Sequence, residues 1–178
     1  LIVAHLESGI SVAAHKNGRV IDVNQAFDGS GPFSFERTGT LPIGDLLRLC
    51  FSGKYSEDEI MEMVTQKGGL VAYLGTNNLT ELETKVESGD EKANFIAYAM
   101  AYQVAKEIGA MYTVLKGSID GIVLSGEIFH WAKFTNWVSD RVEKIGPIAV
   151  YPNEDEMEAL AANGLMILKG EVEVLEYK

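Results

Sequence analysis

Cysteine, basic residues and long apolar runs are all scarce in this chain of 178 residues. Its single cysteine, Cys50, excludes a disulfide within the chain and a cysteine metal site, which favours a reducing cytoplasm. With 15 Lys and Arg against 26 Asp and Glu, the net charge of -11 argues against a nucleic acid or an anionic membrane as partner. No apolar run reaches the roughly 20 residues that a membrane-spanning helix needs. The first residues also lack a basic targeting segment, so the sequence predicts no membrane anchor.

The apolar content is typical of a globular domain. Hydrophobic residues make up 47% of the chain and charged residues 23%, which is enough for one substantial core. We therefore expect residues 1–178 to fold as a single domain. Because Leu1 already lies in a predicted strand, we also expect that further residues of the same polypeptide normally precede it.

The first 24 residues predict an antiparallel sheet. A first strand is followed by a tight polar turn over residues 5–9 and by strands over residues 10–15 and 19–23. Asn17 and Gly18 between the last two strands are a strong hairpin signal, because both turn residues need a positive φ. The turn at residues 5–9 contains a histidine, a hydroxyl and a glycine, so its backbone N–H groups can approach a phosphate. An ordinary tight turn has the same composition, and both interpretations stay open.

The rest of the chain alternates helices and strands. Residues 25–41 are rich in Gly, Ser, Asp and Pro without periodicity, which predicts a long ordered loop, and such loops are usually functional. Ser56 and Glu59 form a capping box at a helix start. Periodicity and turn signals predict helices over residues 42–51, 56–66, 79–87, 90–116, 128–144 and 155–169, and strands over residues 119–125 and 147–151.

The order of these elements indicates a mixed sheet. The alternation of strand and helix at the end of the chain implies two parallel strands, which follow the three antiparallel ones. We expect the long helix over residues 90–116, with Ala, Met and Tyr on one face, to pack across this sheet. Three antiparallel strands followed by parallel βα units are also found in each half of the actin, sugar kinase and acetate kinase superfamily. The sequence thus predicts an α/β, actin-like or ribonuclease H-like domain with a mixed five-stranded sheet and flanking helices.

Several segments give a closer resemblance to the acetate kinase family, in its butyrate and branched-chain fatty-acid kinase branch. They are AHLESGISVAAHKNGRVIDVNQAFDGSGPFSFERTGTLPIGDLLRLCFSGKY, KGGLVAYLGTN, EKANFIAYAMAYQVAKEIGAM, IVLSGEI and VYPNEDEMEALA. The resemblance runs from residue 1 to about residue 170, and the block ERTGT at residues 36–40 is its most specific part. Kinases of this family have two such domains, so this chain resembles the C-terminal half, with the N-terminal domain absent.

The resemblance implies a reaction. These kinases transfer the γ-phosphoryl of ATP to a small carboxylic acid, here butyrate or a branched-chain fatty acid, with Mg²⁺ as cofactor. An N-terminal kinase domain as partner and a homo-oligomer are also implied. Because that N-terminal domain holds half of the cleft, we expect no turnover by this chain alone.

The resemblance assigns candidate catalytic and phosphate-binding residues. Arg37 matches a cleft arginine beside the transferred phosphoryl, where its fork of donors suits an oxyanion. An ordinary ion pair within the loop is the alternative interpretation. His5 matches a histidine that faces the phosphates, with Ser8 and Gly9 in the same turn, although a histidine at the end of an apolar strand is often structural.

Further residues match the nucleotide and metal sites. Ser125 and Gly126 match the strand end and glycine turn that hold adenosine. Glu154 matches a carboxylate near Mg²⁺, which proteins hold through one or two carboxylates together with phosphates and water. Acidic residues also favour a helix N-terminus because of the helix dipole, so that interpretation of Glu154 stays open.

The chain departs from the family pattern at two glycine positions. Glu7 and Glu127 stand where glycine is usual, so each adds a carboxylate beside a polyphosphate. Phe35 replaces a frequent proline, which is a milder change. We therefore expect weak ATP binding by this chain. A degenerate kinase-like domain that acts as a binding or assembly module is the alternative function.

Overall fold

The computed structural model describes residues 1–153 and 156–174. A sheet of five strands in the order β3-β2-β1-β4-β5 forms its centre. The strands are β1 (Ile2–Leu6), β2 (Ile10–Lys16), β3 (Arg19–Val23), β4 (Ile122–Ser125) and β5 (Ile148–Tyr151). β2 is antiparallel to both β1 and β3, whereas β4 is parallel to both β1 and β5. The predicted mixed sheet, three antiparallel strands continued by two parallel ones, is confirmed.

Helices account for much of the remaining chain. They are α1 (Ile43–Cys50), α2 (Glu57–Thr65), α3 (Gly69–Leu74), α4 (Leu79–Glu87), α5 (Glu91–Val114), α6 (Ala132–Val142) and α7 (Glu156–Leu168). The predicted capping box between Ser56 and Glu59 is present at the start of α2, and it holds the pKa of the Glu59 carboxyl below its usual value through hydrogen bonds from Ser56. Within residues 1–153 and 156–174, no helix is long and apolar enough to cross a membrane.

The hydrophobic core lies between the sheet and α5. Every second residue along β1 and the first part of β2 is buried, as expected for strands with one face against a core. Ala97, Met100 and Val104 of α5 are fully buried in this core, so the predicted packing of the long helix across the sheet is confirmed. Tyr98 and Tyr102 are exposed, so the prediction that Ala, Met and Tyr share one face of this helix is wrong for these two. The buried residues of α5 are alanine, methionine, valine and isoleucine, which pack closely in the core.

The first turn is shorter than predicted. β1 continues through His5 and Leu6, which pair with residues of β2 across the ladder. Leu6 is buried, and this burial keeps it in the strand. The turn between β1 and β2 is therefore formed by residues 7–9, which contain only the glutamate, the serine and the glycine of the predicted turn.

Three other predictions need correction. The helix predicted over residues 128–144 is split by extended backbone at Trp131 (φ −76°, ψ 101°) into a 3₁₀ turn, Glu127–His130, and α6. The split lets Phe129, Trp131 and Phe134 all enter the core. β4 begins at Ile122 rather than at residue 119. The sequence also missed α3, which is too short, at 6 residues, to show a helical period.

Gly109→Ala is expected to raise the free energy of unfolding by about 0.5–1 kcal/mol. Gly109 lies inside α5 with an ordinary helical φ, and a Cβ there meets nothing within 4 Å. Alanine therefore gains helix propensity without a clash. Gly89 is the matched control, because its surroundings are equally open but its φ is +92°. Urea denaturation should show Gly89→Ala to be destabilising, and a loss of stability in Gly109→Ala would contradict the described packing of α5.

Candidate active site

The ends of β1 and β4 bring three of the predicted site residues together. His5 and Ser125 are partners in the parallel ladder, and Nδ1 of His5 lies 3.2 Å from Oγ of Ser125. Gly126 follows with φ +112°, and a Cβ on it would overlap the carbonyl oxygen of Leu6. These residues lie at the carboxyl ends of parallel strands, which is where α/β folds place ligand clefts.

A buried hydroxyl connects the turn of residues 7–9 with the loop of residues 25–41. Ser34 is 0% exposed, and its Oγ donates a hydrogen bond of 2.5 Å to the carbonyl oxygen of Ser8. The same Oγ accepts a bond of 3.2 Å from the backbone N–H of Arg37. The backbone N–H of Ser34 also donates to the carbonyl oxygen of Arg37, at 3.0 Å. Ser34 therefore fixes the backbone of the candidate catalytic arginine against the candidate phosphate turn.

The side chain of Arg37 has three distinct neighbours. Its Nη1 donates a hydrogen bond of 3.0 Å to the carbonyl oxygen of Ala26, and its Cζ lies 5.2 Å from the centre of the Phe27 ring. A Cβ on Gly9 would overlap Nη1, so the guanidinium lies directly against the turn. Among the described residues, no carboxylate is within ion-pairing distance of Arg37. The ordinary ion pair considered for Arg37 is therefore not found in this part of the chain.

A cavity of about 420 Å³ opens beside this turn. Its lining residues come from the turn, the loop before Arg37, the segment after α3 and the 3₁₀ turn: Leu6, Glu7, Ser8, Phe35, Glu36, Asn77, Asn78, Leu79, Thr80, Glu127 and Ile128. Glu7 and Glu127, the two departures from the family pattern, thus face the same cavity. Sequence reasoning missed the segment of residues 77–80, because only the tertiary fold brings it here.

Hydrogen bonds hold this missed segment in place. The Thr76 hydroxyl donates to the Glu81 carboxylate at 2.6 Å, and the Asn78 side chain caps α4 by accepting from the backbone N–H of Glu81 at 2.9 Å. The side chain of Asn77 donates to the carboxylate of Glu36, which precedes Arg37 in the loop of residues 25–41. Hydrogen bonds from Lys85 and then from Thr76 hold the pKa of the Glu81 carboxyl below its usual value.

The predicted metal ligand, Glu154, is not among the residues that the structure describes. Its place near the other site residues therefore stays a prediction. Asn153 ends the described segment after β5, and its Oδ1 lies 2.6 Å from Nε2 of His130 on the 3₁₀ turn. Within the described ranges, no three His, Cys, Asp or Glu side chains form a group that could hold a metal ion by themselves.

The fold is shared with solved acetate and propionate kinases. The crystal structure of Porphyromonas gingivalis acetate kinase superposes with a TM-score of 0.84, over 94% of this chain and 48% of that chain, at 24% identity. A propionate kinase from Francisella tularensis gives a TM-score of 0.76 over 88% and 46% of the two chains at 22% identity. Acetate kinase from Entamoeba histolytica gives 0.76 over 92% and 51% at 15% identity. These likenesses define the fold class.

The chain belongs to the acetate kinase family: the Acetokinase family model matches residues 1–164. Butyrate kinases 2 and 1 of Clostridium acetobutylicum are 52% and 50% identical to it over 178 residues. A probable butyrate kinase of Listeria monocytogenes is 48% identical over 176 residues. The chain spans about half the length of these relatives, 50% in each case. The predicted membership of the family is confirmed.

Proposed function

We propose that this chain is the C-terminal half of a carboxylate kinase, which transfers the γ-phosphoryl of ATP to butyrate or a branched-chain fatty acid. The products are an acyl phosphate and ADP. The observation that carries the proposal is the guanidinium of Arg37, held against the Gly9 turn beside the ends of β1 and β4. Positioning and charge neutralisation account for most of the catalysis of phosphoryl transfer, and a fixed guanidinium beside backbone N–H groups supplies both.

Each candidate residue has a proposed role. Arg37 binds the oxygens of the transferred phosphoryl, and His5 stabilises the same charge from the end of β1. The backbone N–H groups of Ser8 and Gly9 bind the nucleotide phosphates. Ser125 and Gly126 hold the adenosine; Gly126 itself is required there because the carbonyl oxygen of Leu6 occupies the position that a Cβ would take.

The proposed cofactors are ATP and Mg²⁺. Ser8, Asn77 and Asn78 are among the residues that line the cavity, and their side chains carry neutral oxygens, the donor type that Mg²⁺ takes. We propose Glu154 as the magnesium carboxylate. When bound, Mg²⁺ supplies neutralisation of the phosphate charge. The residues of this chain supply the orientation of the nucleotide and the contact to the transferred phosphoryl.

The proposed partner is an N-terminal kinase domain. The relatives are twice as long as this chain, and one half of the cleft would come from the other half of the polypeptide. We propose that the chain is inactive without that half. Association into a homo-oligomer and a cytoplasmic location stay predictions from the sequence.

The experiment that tests this function is a hybrid kinase. The half of butyrate kinase 2 that this chain does not match is joined to the start of this chain, and butyryl phosphate is trapped as its hydroxamate. We expect product that depends on ATP, Mg²⁺ and butyrate, and none from the 178-residue chain alone. The control is butyrate kinase 2 reassembled across the same junction. A folded hybrid that forms no acyl phosphate, with an active control, would contradict the proposal.

We expect Glu7→Gly combined with Glu127→Gly to strengthen Mg-ATP binding by the chain. Both residues line the cavity beside the turn of residues 7–9, where the phosphates are proposed to lie. A carboxylate about 4 Å from a phosphate oxygen repels it by roughly 1 kcal/mol in water and by several times that in a partly shielded cleft. Calorimetry should therefore show weak binding by the unmodified chain and a clear gain in the double variant.

Glutamine at the same two positions separates the effect of the carboxylate charge from the effect of the side-chain volume. Glu7→Gln with Glu127→Gln removes the charges and keeps the side-chain volume, so its gain measures the electrostatic part alone. Tight binding by the unmodified chain, or no gain in either double variant, would show that these carboxylates do not oppose the nucleotide. If the gain appears but the hybrid kinase is inactive, the facing glutamates favour the second candidate function, a kinase-like domain kept for binding or assembly.

A further inference from the structure

Phe27 is an exposed aromatic residue beside the candidate active site. Its side chain is 56% exposed, so it contributes little to the hydrophobic core. The guanidinium carbon of Arg37 nevertheless lies 5.2 Å from its ring centre, within the range of a cation–π attraction. The ring therefore interacts with the arginine rather than with the interior of the domain.

The Phe27 ring is one of three neighbours that contact the guanidinium of Arg37. Ala26 binds Nη1 through its carbonyl oxygen at 3.0 Å, and Gly9 is packed against the same nitrogen. Phe27 is the third neighbour, with its ring centre 5.2 Å from the guanidinium carbon. A guanidinium has five N–H donors, and among the described residues the bond to Ala26 is the one hydrogen bond found for the Arg37 side chain, so the other donors can serve an oxyanion.

The backbone that carries the ring is itself fixed. The side chain of Gln25 accepts a hydrogen bond of 2.7 Å from the backbone N–H of Phe27 and donates one of 2.5 Å to Asp28. The backbone N–H of Gln25 donates to the Ser30 hydroxyl at 2.9 Å, and the carbonyl oxygen of Gln25 accepts from the Ser30 N–H at 2.8 Å. Residues 25–30 thus form a closed turn, and a ring mounted on a closed turn can hold a flexible side chain in one orientation.

We propose that Phe27 is a positioning residue that holds Arg37 in its orientation for phosphoryl transfer. This inference rests on the proposed function, because Arg37 is there assigned to the transferred phosphoryl. An exposed cation–π contact corresponds to about a twofold to fivefold effect on an equilibrium. Its loss leaves the arginine present and charged but less often in the productive orientation, so the effect falls on kcat rather than on KM.

The test has a spectroscopic and a kinetic part. In the 178-residue chain, we expect NMR to show side-chain protons of Arg37 shifted upfield by the ring, with loss of this shift in Phe27→Leu and retention in Phe27→Tyr. In the hybrid kinase, Phe27→Leu should lower kcat about fivefold with KM for ATP within twofold, and Phe27→Tyr should restore kcat. Tyr102→Leu is the matched control, because Tyr102 has an equivalent contact with Arg141, at 4.8 Å, on the outer face of α5. It should leave kcat unchanged.

The outcomes separate this inference from the function on which it rests. An unchanged Arg37 spectrum in Phe27→Leu, or an unchanged kcat despite a changed spectrum, would overturn the positioning role. A hybrid whose kcat is insensitive to Arg37→Ala would instead overturn the assignment of the arginine to catalysis. A fall in kcat that Phe27→Tyr does not restore would also overturn the inference, since a positioning ring needs only its aromatic face.

Discussion

Arg37→Ala is expected to lower kcat of the hybrid kinase about 1,000-fold, with a much smaller change in KM for ATP. A single arginine at a transferring phosphoryl contributes a factor of about 10³–10⁵ in related chemistry, and its contribution is largest in the transition state. The fold should survive the change, because the hydrogen bonds of Arg37 to Ser34 use its backbone N–H and carbonyl groups. Arg37→Lys should recover little of the rate, since an ammonium lacks the planar fork of donors.

The control for this variant is Arg141→Ala. Arg141 is also a surface arginine packed on aromatic rings, at 5.1 Å from the ring centre of Tyr98 and 4.8 Å from that of Tyr102, but it lies on the α5–α6 side of the molecule. Steady-state kinetics should find it close to the unmodified hybrid. A threefold or smaller effect of Arg37→Ala would place the arginine outside the reaction.

Gly126→Ala is expected to lower the free energy of unfolding by about 3 kcal/mol. The φ of +112° at this position is unfavourable for a residue with a side chain, and strain of this kind costs on the order of 1–3 kcal/mol. A Cβ would also overlap the carbonyl oxygen of Leu6, so β1 and β4 would have to separate where His5 meets Ser125. Urea denaturation measures the loss, and nucleotide binding should weaken with it.

Gly53→Ala separates the cost of a positive φ from the cost of the steric overlap at Gly126. Gly53 also has a positive φ, +69°, but a Cβ there meets nothing within 4 Å. This variant should lose only about 1–2 kcal/mol. If Gly126→Ala loses no more stability than Gly53→Ala, the close approach of Leu6 to Gly126 is not a constraint on this fold.

The parts of the fold that sequence predicts well have local signals. Asn17 and Gly18 have φ values of 52° and 74°, as their hairpin signal requires. The capping box at Ser56 and the predicted bounds of α4 are likewise confirmed, because each depends on neighbouring residues only. The error at the first turn has a physical cause: Leu6 follows a polar residue in sequence, and only its burial against the core shows that it belongs to β1.

The candidate site was predictable only where the family resemblance supplied it. Nothing local marks Ser34, whose bond to Ser8 spans 26 residues of sequence. No local sequence pattern marks Phe27 either, because its proposed role depends on the position that the Arg37 side chain takes in the folded domain. The pairing of His5 with Ser125 spans 120 residues and follows from strand order, which apolar patterns do not specify. Long-range contacts of this kind appear only once the topology is known.

We propose that nucleotide phosphates bind at the turn of residues 7–9 beside Gly126. Backbone amide shifts of the isotope-labelled chain, followed as Mg-ATP is added to millimolar concentration, test it most directly. We predict shifts concentrated at Ser8, Gly9, Ser125 and Gly126. Shifts confined to the cavity at the opposite end of the sheet, around Lys116 and the hairpin turn after β2, would contradict nucleotide binding at the turn of residues 7–9.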